Sequence, residues 1–287
     1  MTDVNAEAIQ AWDGVLFEKF SRFRHLLTTG LSSHGSEALR RHPPAAGARV
    51  LDLGCGFGDT TLDIARLVGP TGKAVGVDAA AKFVAEAARV TERAEVTNAS
   101  YFTADVQAEN LRGPYDLAFS RFGVMFFQSL VAALRNVKKS LEPGGQLLLV
   151  VWRKREDNAW THAAELAVKA ILPEVPHDNP DEPTCGPGPF SMSGADMVSA
   201  QLVAAGYTQI SFERFDTDIC IGKDLDEALA FATALGPAGE MIRLAAAKGI
   251  DETPRVHAAI REALAPYVRS NGVYAPSSTW FVRARAA

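Results

Sequence analysis

The chain has 287 residues, a formal charge of −5 and a pI near 5.7, long enough for one large core or a domain carrying an insertion. The acidic balance argues against a nucleic-acid groove, which needs a basic surface to displace phosphate counterions. Cys55, Cys185 and Cys220 lie far apart without C-x-x-C spacing, which excludes a disulfide framework and a thiolate zinc site. No other metal-ligand spacing occurs. The amino terminus, "MTDVNAEAIQ", is polar, and no apolar run nears the roughly 20 residues of a membrane span. These features lead to the expectation of a cytoplasmic monomer or homodimer with no secretory signal and no membrane span.

Residues up to about Arg41 read as helical. Trp12, Val15, Leu16, Phe20, Phe23 and Leu27 recur at helical spacing and give one aromatic-rich face. "HPPAAGA" then breaks the chain. The division expected is a helical cover over 1–45 and one domain over 46–287.

From Arg49 to Trp152, strand-like and helical stretches alternate. The strand-like runs are "RVLDLG", "KAVGVD", "SYFTAD", "YDLAFS" and "GQLLLVVW". Near-continuous apolar strands separated by helices indicate a doubly wound, mostly parallel sheet covered on both faces. A helix is expected over Asn158–Leu172. The stretch 173–192 follows with six prolines between Pro173 and Pro189, either a surface connection or a lid. Ser193 and Asp196 resemble a capping box opening a helix that Gly206 closes. Strand-like "YTQISFERF" and "SSTWFVRARA" come last. Between them, over 222–272, lies an insertion with helices around Leu225–Leu235 and Pro254–Leu264.

The stretch "VLDLGCGFGDTTLDIA" (50–65) takes a strand through a glycine turn into an amphipathic helix. A dinucleotide fingerprint is spaced G-x-G-x-x-G, its third glycine letting helix pack on strand. Here the spacing is Gly54-x-Gly56-x-Gly58. Asp78 closes the second strand where a carboxylate can accept hydrogen bonds from ribose hydroxyls, or can cap the next helix. Asp105 closes the third strand, where an adenine amino group can donate to it with Val106 supplying a backbone N–H. The alternative is a turn aspartate.

The set "VLDLGCGFGDTT", "GVD", "TADV", "YDLAFSRFGVMFF" and "LEPGGQLLLVVW" resembles class I S-adenosylmethionine-dependent methyltransferases. It is most similar to the small-molecule group that includes the ubiquinone/menaquinone type, over about Arg49–Trp152. The resemblance implies a Rossmann-like sheet of seven strands, the last antiparallel, and S-adenosylmethionine as cofactor. It places Asp52, Gly54 and Gly56 beside the methionine part, since glycines admit close backbone approach. Thr60 and Thr61 become hydroxyl donors to its carboxylate, and Ser120 lies where backbone carbonyls meet its amino group.

Three stretches are candidates for the substrate pocket: Arg121, Phe122 and Met125 after the fourth strand; Trp12, Phe17 and Phe20 on the cover; and the proline stretch with Phe190. Phe126 and Phe127 read as helix-packing core. His34, His162 and His177 are titratable candidates for a base, with Arg121 a further catalytic candidate. For each histidine the reading as an exposed or helix-packed side chain is the favoured alternative. No D-P-P-Y or N-P-P-Y motif follows the fourth strand, which argues against nucleobase amines as acceptors. The activity expected is methyl transfer to an O, N or C nucleophile of a small molecule. The alternatives are a protein that binds the cofactor without methylating and an NAD-dependent oxidoreductase.

Overall fold

The computed structural model describes residues 5–172 and 187–287. Helix α1 (Ala6–Ala11) runs through a π-turn (Trp12–Leu16) into α2 (Phe17–Arg22), and a second π-turn (Leu26–Gly30) precedes α3 (Ser32–Arg41). Gly14 departs from helical geometry at φ −112°, ψ −112°. The amino-terminal segment therefore bends around the domain where an unbroken amphipathic helix would have run straight.

The alternating region forms β1 (Arg49–Leu53), α4 (Asp59–Val68), β2 (Lys73–Asp78), α5 (Ala81–Arg93), β3 (Ala99–Thr103), β4 (Tyr115–Arg121), α6 (Leu130–Lys139) and β5 (Leu141–Trp152). Then come α7 (Ala159–Lys169), α8 (Ala195–Ala204), β6 (Tyr207–Gly222), α9 (Leu225–Ala234), α10 (Pro237–Ala247), α11 (Thr253–Leu264), the two-residue β7 (Val268–Arg269) and β8 (Gly272–Ala286). Strand order is β3-β2-β1-β4-β5-β8-β6, with β7 pairing β8 beside this path. Strands β1 to β5 pair in parallel, and β8 runs antiparallel to both β5 and β6. The seven-stranded expectation holds, with the short β7 added.

The parallel strands are buried on both faces. Leu51, Leu53, Val77, Ala118 and Leu149 join one core, while Val50, Ala74, Phe119 and Val150 join the other. That is why they read as apolar runs instead of alternating ones. Two local expectations need correction. Gly194 caps α8 without a side-chain bond, so Ser193 and Asp196 form no capping box. The insertion also holds a third helix, α10, opened by Pro237. Gly236 before it and Gly239 in its first turn mask it in sequence as a turn. Among the described residues, no helix is long and apolar enough to cross a membrane.

Helix α3 is fastened to the sheet through His34, which is fully buried. Its Nε2 lies 2.8 Å from Ser277 Oγ and its Nδ1 lies 3.0 Å from Thr279 Oγ1. The rings of Phe122, Trp152 and Phe215 meet it edge-on. Burial, and then the Arg121 charge, lower its pKa from 6.5 to about 3, so the imidazole stays neutral. We predict that His34→Ala lowers stability at pH 8 by about 2–4 kcal/mol, the range for emptying a packed site. The gap should narrow as pH falls from 6.5 towards 3. There the unfolded wild type gains a proton that the folded state refuses, and the variant has no such group. Urea denaturation across that pH interval checks both the size and the trend.

Candidate active site

In an open parallel sheet, ligands bind beyond the carboxyl ends of the strands where the order reverses. Here that point lies between β1 and β4. Leaving β1, the chain turns through Gly54, Gly56 and Gly58, all at positive φ, and enters α4. A Cβ on Gly58 would lie 2.7 Å from Tyr101 Oη and 2.8 Å from Ala87 Cβ, so this glycine is required by packing. A Cβ on Gly56 would meet nothing within 4 Å. Its Cα therefore faces open space, the cradle a closely approaching ligand needs.

The acids of the loop are tied in place. Asp78 Oδ2 accepts the Gly56 N–H at 3.0 Å, and Oδ1 accepts the Ala80 N–H at 3.0 Å. Burial raises its pKa, and these amides oppose the rise. Asp52 is buried on β1 and accepts the Thr61 hydroxyl at 2.6 Å. Burial pushes its carboxyl up to about 7 against the pull of that bond, and the Asp59 charge adds to the rise. Asp59, in the first turn of α4, pairs with Arg121 Nη2 at 2.5 Å. Asp105 accepts Asn5 Nδ2 at 2.8 Å and the Gln107 N–H at 2.9 Å.

These groups line one cavity of about 190 Å³. Its floor is Asp52, Gly54, Gly56, Thr60 and Asp78, with Asp105 and Val106 at one side. Its roof is the amino-terminal cover, through Trp12, Phe20, Leu27 and Leu31, and Arg121, Phe122, Phe126 and Phe127 close the far wall. Trp12 meets Phe20 at 5.2 Å and Phe126 at 5.0 Å, both edge-on. A larger depression of about 420 Å³ lies at the opposite, amino-terminal ends of the strands, between the His42–Ala48 loop and the turn at Glu142–Gly145. None of the candidate cofactor or substrate residues lines it.

Several residues picked out in the sequence lie elsewhere. Ser120 is buried and gives its hydroxyl to the Leu53 carbonyl at 2.8 Å, bracing β4 against β1. Thr61 is spent on Asp52. Phe17 packs behind the roof on Phe83, at 5.0 Å. Met125 is buried behind the wall, where its sulfur accepts the Trp152 N–H. Phe190 lies under the Arg155 guanidinium, away from the cavity. His34 is sealed between α3 and β8, and His162 stands 3.6 Å from Glu165 on α7. Neither lines the cavity. His177 and most of the proline stretch lie outside the described residues. Conversely, Asn5, Thr28, Asp59 and Gln107 line the cavity without having been singled out. Asp59 carries a readable signal, an acid directly after the last loop glycine. Asn5 carries none.

Comparison with known proteins agrees with this geometry. Residues 50–145 match the family model described as a methyltransferase domain. A demethylmenaquinone methyltransferase of Lactococcus lactis is 25% identical over 178 residues, 60% of this chain and 69% of that protein. A trans-aconitate 2-methyltransferase of Methylobacterium nodulans is 33% identical over 137 residues, 47% of this chain and 48% of that one. The crystal structure of YcgJ from Bacillus subtilis superposes with a TM-score of 0.57 at 16% identity, covering 88% of this chain and 98% of that one, a likeness of fold. The domain match and these relatives indicate an S-adenosylmethionine-dependent enzyme of class I, and the sheet order agrees. The chain is a methyltransferase of that class, similar to the ubiquinone/menaquinone type.

The raised Asp52 gives a sign that can be checked. Its carboxyl titrates near 3.8 when unfolded and about 7 when folded, so between those values only the folded chain keeps the proton. That contribution is full below pH 3.8 and is lost as pH rises through 7. Asp52→Asn keeps an acceptor for Thr61 and removes the loss. Thermal denaturation from about pH 4 to 8 should show the variant gaining on wild type as pH rises. Parallel curves would exclude a carboxyl titrating near neutrality.

Proposed function

We propose that this enzyme transfers the methyl group of S-adenosylmethionine to a small molecule held beneath the amino-terminal cover. The observation that carries this is a single cavity joining the glycine loop and Asp78 to an aromatic roof. The space in front of Gly56 fits the cofactor's amino-acid arm. Asp78 keeps lone pairs for both ribose hydroxyls while its amide partners hold the loop. Asp105 and Val106 stand where adenine would lie, and Thr60 at the start of α4 faces the carboxylate position. Trp12 and Phe20 cover the site from water and supply aromatic rings that suit a neighbouring cation.

When bound, the cofactor supplies an activated methyl group on a sulfonium. The protein's share is then alignment and exclusion of water. The relatives are named for demethylmenaquinone and trans-aconitate, both small molecules, which supports an acceptor of that size here. The cavity's walls are mostly aromatic and aliphatic, which supports an acceptor with an apolar body. We read 1–45 as the cover, 222–272 as a buttress behind it and the scarce cysteines as suited to a cytoplasmic setting.

Calorimetric titration tests the reading. S-adenosylhomocysteine should bind and NAD should not, because the loop lacks the dinucleotide spacing. Asp78→Ala should weaken S-adenosylhomocysteine by about 1.5–3 kcal/mol, the worth of hydrogen bonds to a charged group. It should also cost roughly 1 kcal/mol of stability by freeing the Gly56 amide. Binding of NAD, or unchanged affinity in the variant, would overturn the assignment.

A further inference from the structure

We infer that the acceptor is an organic acid, methylated on a carboxylate oxygen to give a methyl ester, and that Arg121 is the residue that selects it. The inference rests on the methyltransferase reading above and adds the substrate's chemical class. Two independent observations lead to it.

The first is the charge inventory of the cavity. Among the described residues lining it, Arg121 is the one cation. It ends β4 at the switch point, and its side chain is 11% exposed. It is also held still. Asp59 takes one nitrogen, Nη2, and α3 passes so close that a Cβ on Gly35 would fall 2.8 Å from Arg121 Cδ. A guanidinium carries five N–H donors in a planar fork, so one partner leaves others available to a second carboxylate. A fixed fork loses little freedom on binding, which favours a planar anion over a neutral amide of the same shape.

The second is that, among the described residues, the cavity offers no unpartnered base. Neutral alcohols, protonated amines and carbon acids must shed a proton before or during methyl transfer. Among the described residues lining the cavity there is no histidine, lysine or tyrosine. Its four carboxylates each already hold a partner: Asp52 takes Thr61, Asp59 pairs with Arg121, Asp78 takes the Gly56 and Ala80 amides, and Asp105 takes Asn5 and Gln107. An acid ionised at neutral pH needs none of them. Its carboxylate oxygen attacks the methyl carbon; a C–O bond forms as the C–S bond breaks, and the bonding pair stays on sulfur. The sulfonium becomes a neutral thioether, the carboxylate becomes a neutral ester, and no proton moves. The apolar body of the acid then lies against Phe122, Phe126, Phe127 and Leu31.

The test titrates protein saturated with S-adenosylhomocysteine with hexanoate and 3-phenylpropionate, with the amide of each and with 3-phenylpropylamine. At least one acid should bind about tenfold or more tighter than its amide and than the amine, as expected for charge-assisted pairing. Arg121→Gln should erase that advantage while S-adenosylhomocysteine affinity stays within about twofold, and Arg121→Lys should restore part of it. Label transferred from methyl-labelled cofactor to the acid should be released by alkali as methanol. The inference is overturned if no acid exceeds its amide, if the amine binds best or if the label resists alkali. It is also overturned if Arg121→Gln loses S-adenosylhomocysteine itself, which would assign the guanidinium to the cofactor's own carboxylate. Failure of S-adenosylhomocysteine to bind the wild type would instead reject the methyltransferase reading beneath it.

Discussion

The Gly56 amide reaches Asp78 Oδ2 across 3.0 Å, and this contact joins the ends of the neighbouring strands β1 and β2, beside the point where sheet order reverses. The backbone amides of Gly54 and Cys55 also turn inward, onto the Val77 carbonyl. The loop is thus anchored to β2 on its inner side while Gly56 leaves its outer side clear. A buried carboxylate is costly unless hydrogen-bonded, and the two amides on Asp78 offset that cost. Each of the other features of the site is arranged around this fixed turn.

The cover is the second constraint. Phe57 and Phe83 form a small apolar cluster above the loop, and Trp12, Phe17 and Phe20 pack onto it. Edge-on pairs of this kind contribute about 0.5–1.5 kcal/mol each beyond burial. The cover is also pinned at both ends, by Asn5 on Asp105 and by His34 between β8 hydroxyls. Between the pins, Phe23 is buried against Phe231 of α9, so the late insertion buttresses the roof from outside.

Much of this was legible in the sequence because it depends on local pattern. Five apolar runs separated by amphipathic helices specify the parallel sheet, and the Gly54–Gly58 spacing with Asp78 and Asp105 at strand ends marks the cavity floor. What was not legible depends on distant chain. His34 looks like a free base until Ser277 and Thr279, more than 240 residues on, take both nitrogens. Trp12, Phe17 and Phe20 lie on one amino-terminal segment, but Phe17 packs behind the roof on Phe83 while Trp12 and Phe20 line the cavity. Ser120 and Met125 sit on the right segments with side chains committed to bracing it. Periodicity assigns a face to a residue. It does not say what meets that face.

The account stands on one cavity serving as the cofactor site. A crystal structure with S-adenosylhomocysteine bound tests this most directly. The account predicts homocysteine density over Gly54 and Gly56, ribose hydroxyls on Asp78, and the sulfur beneath Trp12 and Phe20. Density in the depression beside Glu142–Gly145, or a ribose with no contact to Asp78, would contradict it.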